Sequence, residues 1–160
     1  KTKHQQMSLL ILSDFEKGYA VGFFDGEGCV TINKAIKRHE WTTEPGRVSL
    51  FIQYNLHVRV ANTSYDVLEW FLAKFGGAIY DHGLKGDKRG NRQQSWVWHI
   101  ASFCAQPFLE MVEPLTFVKS NAVQLGLKFL AAQTSATEEE KEDFYLEIRR
   151  INMRGMHKAL

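Results

Sequence analysis

The chain has 160 residues with 20 Lys and Arg against 18 Asp and Glu, a net charge of +2, and 12% aromatic residues. That length suits one compact domain over residues 1–160, and the apolar content supports a packed core and argues against disorder. Cys29 and Cys104 lie far apart without metal-ligand spacing, which points to a reduced, intracellular protein without a zinc site. No signal-peptide pattern opens the sequence, and the apolar run Leu9–Leu12 is too short to span a bilayer, so no membrane partner is expected.

Charge is unevenly spread. Glu138, Glu139, Glu140, Glu142 and Asp143, against Lys141 alone, form an acidic block near the C-terminus. Between residues 28 and 100 Lys and Arg outnumber Asp and Glu, a bias that suits a polyanion as well as it suits a solvated mixed surface.

In chain order, residues 1–12 read as an N-terminal arm. Ser13 with Glu16 forms a capping-box pattern, predicting a helix from Asp14 to Phe24. A strand is expected over roughly Cys29–Ile36, paired across the loop holding Pro45 and Gly46 with a second strand. In that second strand Ile52, Tyr54, Leu56, Val58 and Val60 alternate with Gln53, Asn55, His57 and Arg59. Ser64 opens a helix with Val67, Leu68, Phe71, Leu72 and Phe75 on one face, stopped by Gly76 and Gly77. Residues 78–82 and 94–101 form a second hairpin joined by a loop carrying Lys85, Lys88, Arg89 and Arg92. A short helix follows Pro107, another covers Lys119–Ala132, and Thr137 with Glu140 caps a last one within a C-terminal helix and tail, residues 137–160. The expected class is α+β, in the order αββαββα with extra C-terminal helices and a twisted antiparallel sheet.

The segment GYAVGFFDGEG, residues 18–28, carries the chemistry. Gly18 and Gly22 share a helix face, each costing roughly 1 kcal/mol of helix stability relative to Ala, so a close-packing role is expected. A second copy of the same helix, with Val21 alongside the two glycines, is the natural partner. The run D-G-E-G then supplies carboxylates and carbonyls, the hard-oxygen set suited to Mg²⁺. Asp25 and Glu27 point differently at a helix end, so one of them serves the site; Asp25 is assigned the more structural part. Two copies would bring two Glu27 carboxylates together, the arrangement used around divalent metals for phosphodiester cleavage. The polar strand faces, Thr31, Asn33 and Lys37, then Gln53, Asn55, His57 and Arg59, then Ser95 and His99, suit a β-ribbon reading a DNA major groove, with Arg47 beside them.

These residues carry a resemblance. YAVGFFDGEG resembles the signature of the LAGLIDADG homing endonucleases, and PLTFVKSNAVQ (114–124) and INMRG (151–155) are similar to two further family segments. The resemblance covers residues 13–155 and implies the roles that follow. Glu27 is the metal-binding catalytic acid and the Gly26 carbonyl a second ligand; Lys119 is the basic residue near the scissile phosphates. Asn62 falls near a Gln of the water network, and Asp66 stands where some members place a further basic residue. The implied cofactor is Mg²⁺, or Mn²⁺, with Ca²⁺ in a non-cleaving complex. The implied activity is that of an intron-encoded homodimer cutting both strands of a near-palindromic double-stranded DNA by metal-activated water, leaving short 3′ overhangs. The motif's last acid is Glu where Asp is commoner. A maturase or inactive DNA- or RNA-binding relative is the alternative; a small-molecule hydrolase or a plain dimeric module are the rivals outside that class.

Overall fold

The computed structural model describes residues 12–41, 43, 46–83 and 94–153. In it the helices and strands follow the expected order: α1 (Asp14–Glu27), β1 (Gly28–Glu40), β2 (Val48–Asn62), α2 (Tyr65–Phe75), β3 (Ala78–Asp81), β4 (Trp96–Ala101), a 3₁₀ turn (Ser102–Ala105), α3 (Gln106–Val112), α4 (Ser120–Ala132) and α5 (Glu138–Met153). The four strands form one antiparallel sheet in the order β1-β2-β4-β3. No helix among the described residues is long and apolar enough to cross a membrane.

The sheet has two unlike faces because side chains alternate along each strand. Val30, Ile32, Tyr54, Leu56, Val58, Val60, Trp98 and Ile100 are buried on one face, against Phe24, Phe71, Phe108, Phe129 and Ile148 from the helices. Trp98 shows how that face is closed: it is fully buried, packs on Phe71 and Phe108, and its indole N–H donates to the Gly76 carbonyl at 2.7 Å. Gly76 and Gly77 stop α2 with φ of 72° and 90°. A Cβ at Gly77 would lie 2.4 Å from the His99 carbonyl oxygen, so the glycine allows the hairpin to close under the helix.

Two caps expected from sequence are in place. The Ser13 hydroxyl accepts the Glu16 N–H while the Glu16 carboxylate accepts the Ser13 N–H, and Thr137 with Glu140 repeats the pattern before α5. Helix α5 is fastened to the sheet by its own polar side chains. The Glu142 carboxylate accepts from the Tyr54 hydroxyl and pairs with Lys34 at 2.7 Å, and Asn152 donates to the Val30 carbonyl at 3.0 Å.

Two elements run further than the sequence suggests. α1 continues past Phe24 to Glu27, so the D-G-E residues are its last turn and Gly26 lies within the helix. β1 extends to Glu40 rather than Ile36, paired in register with β2 as far back as Val48. The far half of this ribbon, Lys37–Glu40 against Val48–Phe51, is exposed on both faces and shows no apolar alternation. Ladder pairing carries it, with an Arg38–Glu40 ion pair at 2.5 Å beside it. At its tip the Trp41 N–H donates to the Arg47 carbonyl, and the Arg47 guanidinium lies 4.9 Å over the Trp41 ring.

Candidate metal and nucleic-acid site

The site begins at the junction of α1 and β1. Gly28 is needed there: its N–H donates to the Phe24 carbonyl, and a Cβ would stand 2.1 Å from the Phe24 ring and 2.4 Å from that carbonyl oxygen. The tight exit leaves Glu27 exposed at the edge of the polar sheet face, while Phe24 is locked into the core. Carbonyls in the last turn of a helix have no intrahelical donor, and they form the negative end of the helix dipole. Gly26 is in that turn, so its carbonyl and the Glu27 carboxylate are oxygen donors fit for a hard divalent cation. Among the described residues no three His, Cys, Asp or Glu side chains group together for a metal.

Beside Glu27 a cavity of about 450 Å³ opens on the polar face, lined by Cys29, Thr31, Arg59, Ala61, Tyr80, His82, Val97 and His99 as well as Glu27. Register explains the set. Cys29 pairs with Arg59, Arg59 with His99 and His99 with Ala78, while Ala61 pairs with Val97 and Val97 with Tyr80. Thr31 Oγ1 is buried against this cavity with no hydrogen-bond partner among the described residues.

The polar face holds a tight histidine pair. His57 Nδ1 and His99 Nε2 are 2.5 Å apart, with ring planes 18° apart and centroids 4.8 Å apart, so the rings meet edge to edge and one donates its N–H to the other's bare nitrogen. Burial, then the charges of His99 and Arg59, pushes His57 down to about 4; burial, then Arg59, also lowers His99. Arg59, whose charge lowers both, lines the same cavity as His99 and Glu27.

Most of the sequence-predicted contact residues share this face. Thr31 pairs with His57 and Asn33 with Asn55; Gln53 donates to the Asn55 side chain at 3.4 Å, and Lys37 lies opposite Phe51. Ser95 is just before β4 and its carbonyl accepts from the His82 N–H; Arg47 is at the ribbon tip. Lys85, Lys88, Arg89 and Arg92 lie outside the described residues. Asn62 and Val21 lie away from the polar sheet face and the open helix stripe. Asn62 is an even-numbered residue of β2 and belongs to the helix-side face; its Oδ1 accepts the Ser64 N–H at 2.8 Å and turns the chain into α2, and Ala61 lines the cavity in its stead. Val21 is 5% exposed, because one residue of helix rotation from Gly22 carries it into the core with Ala20 and Phe24. The open stripe on α1 instead comprises Phe15, Gly18, Tyr19 and Gly22, and a Cβ at either glycine would meet nothing within 4 Å.

Sequence reading missed Cys29, Tyr80 and His82 at the cavity. The alternation that includes Thr31 already places Cys29 on this face; Tyr80 and His82 depend on the β3–β4 register, for which the sequence has no marker.

Lys119 is half-buried at the start of α4, and its positive charge acts on the Cys29 thiol, whose pKa burial raises and Lys119 and Arg59 pull back. Lys119 thus acts on a residue that lines the same cavity as Glu27, although the two lie far apart in the sequence.

No protein-family model and no curated protein matches the sequence. Solved structures do share the fold. An archaeal intron-encoded homing endonuclease complexed with DNA, I-Vdi141I, aligns with a TM-score of 0.65 at 15% identity, over 86% of this chain and 84% of that one. The homing endonuclease I-CvuI, with a DNA target and 2 mM Mg but the DNA uncleaved, gives 0.62 at 15% identity over 94% and 83%. I-TnaI gives 0.58 at 21% identity over 89% and 88%. The fold is that of the LAGLIDADG homing endonucleases.

Proposed function

We propose that the protein is a divalent-metal-dependent DNA endonuclease that works as a homodimer on a near-palindromic double-stranded site. The observation that carries this reading is the placement of Glu27. It is an exposed carboxylate at the end of a helix whose outer stripe is glycine and apolar, at the border of a long polar sheet face. Pairing two copies through Gly18 and Gly22 brings two Glu27 side chains to a common axis and joins two polar faces into one extended surface. Exposed Phe15 and Phe117, 82% and 91% accessible, supply apolar surface for such a contact.

In this reading Glu27 and the Gly26 carbonyl hold Mg²⁺, or Mn²⁺ in its place, with Ca²⁺ supporting binding without cleavage. The bound ion supplies Lewis acidity and an activated water for in-line phosphodiester hydrolysis. Lys119 offers its ammonium to charge developing on the scissile phosphate. Gln53, Asn55, Arg59 and their neighbours read base edges, and Lys37, Arg47 and the basic 85–92 segment hold phosphates. Cleavage in this scheme requires no covalent enzyme intermediate. The intron-encoded origin and intracellular setting are part of the same proposal.

The test is incubation with a randomised palindromic DNA library and Mg²⁺, followed by sequencing of the cut ends. Enrichment of one symmetric site with short 3′ overhangs is the expected result. Tight binding without cutting under Mg²⁺ and Mn²⁺ would favour the silent binder or maturase.

A further inference from the structure

The segment between α3 and α4 poses a physical problem. Leu115, Phe117 and Val118 are exposed, so apolar burial does not fix it, yet Thr116 among them is buried. α4 also begins without a cap of its own, since Lys119 occupies the N-cap position and makes no side-chain capping bond. The missing partner comes from the other end of the chain. The Asp25 carboxylate accepts the Thr116 hydroxyl, the Phe117 N–H at 2.9 Å and the Lys119 N–H at 3.3 Å; Thr116 Oγ1 also accepts the Lys119 N–H at 3.3 Å. Burial raises the Asp25 pKa, but these bonds, with one from the Val118 N–H, outweigh it and hold the carboxyl below its ordinary range. A carboxylate at a helix start also meets the positive end of the dipole.

We propose that Asp25 is a positioning residue: its carboxylate clasps the turn at residues 116–119 and so fixes the backbone from which Lys119 acts on the cavity beside Glu27. The proposal rests on the nuclease reading for its catalytic consequence and on the clasp alone for its structural one. Asp25 and Glu27 sit in the same helical turn, so the helix that offers the metal-binding acid also sets the distance to the lysine.

The test has two arms, both on the full chain. Amide hydrogen exchange on the DNA-free protein compares wild type with Asp25→Asn. Exchange at Phe117 and Lys119 is expected to rise at least tenfold while the β2 amides stay unchanged; no change at those two amides overturns the clasp. If Asp25→Asn fails to fold, Thr116→Val removes one donor isosterically, and undiminished protection there overturns it equally. The second arm measures cleavage at saturating DNA in four proteins: wild type, Asp25→Asn, Lys119→Met and the double variant. Asp25→Asn should slow cleavage roughly ten- to hundredfold with DNA affinity in Ca²⁺ kept within threefold, and less than twofold further in the Lys119→Met background. Equal losses in both backgrounds refute action through Lys119. A wild type that cuts no DNA removes the nuclease reading, and the exchange arm then decides the clasp by itself.

Discussion

Gly18 and Gly22 offer a perturbation in which the single chain and its dimer should respond with opposite signs. Both lie on the exposed stripe of α1, and a Cβ at either has nothing within 4 Å. In an isolated copy Gly22→Ala therefore gains helix propensity and loses no packing, stabilising the chain by about 1 kcal/mol and raising Tm by roughly 2–4 °C. If the stripe is where two backbones meet, the added methyl is overpacked, at about 1–3 kcal/mol per site. Two-fold symmetry applies it twice, so self-association weakens by roughly 30-fold or more. The assay is thermal unfolding of dilute protein together with sedimentation equilibrium over a concentration series. A Gly22→Ala variant that associates within threefold of wild type refutes the placement of the contact on this stripe. A lowered Tm in the dilute sample refutes the claim that the glycine is unneeded within one copy.

At Gly28 the same substitution should do the reverse. Its Cβ would enter the Phe24 ring and the carbonyl that accepts the Gly28 N–H, so Gly28→Ala is expected to cost about 2–4 kcal/mol from overpacking and a weakened bond. Urea denaturation measures this, and a loss below about 1 kcal/mol would show that the helix exit yields easily. The histidine pair predicts acid sensitivity. Both folded-state pKa values lie below the ordinary 6.5, His57 at about 4, so the unfolded chain takes up protons first as pH falls. Stability present above pH 6.5 is lost as pH falls towards 4, by an amount on the order of 1 kcal/mol after allowance for partial solvent exposure. Denaturant titrations of wild type and the His57→Gln/His99→Gln double variant from pH 7 to 4.5 should show a steeper decline in wild type; parallel curves would remove the pair from the pH response.

Much of the architecture is legible in the sequence because its signals are local. The Ser13/Glu16 and Thr137/Glu140 boxes, the Gly76-Gly77 stop and the alternation from Ile52 to Val60 each depend on residues within a few positions of one another, and all four appear as read. The far half of the β1–β2 ribbon was not legible, since Lys37–Glu40 and Val48–Phe51 bury no face and carry no period. The site was legible as chemistry but less so as geometry. Glu27 and Lys119 stand out by residue type, while their common surroundings depend on Asp25 reaching across more than ninety residues of chain to Thr116 and Phe117. Near the end of β2 parity decides the face: Ala61 lines the cavity and Asn62 turns the chain into α2. On α1 one step of rotation likewise separates exposed Gly22 from buried Val21.

The central claim is that Glu27 is the metal-bearing acid of a DNA-cutting site. The most direct measurement is cleavage of the library-selected DNA by wild type and Glu27→Gln in Mg²⁺, alongside DNA affinity measured in Ca²⁺. The expected result is loss of cutting by Glu27→Gln, with affinity kept within about threefold and folding and association unchanged. Cleavage by Glu27→Gln at the wild-type rate would contradict the claim, and loss of folding or association would make Glu27 a structural residue.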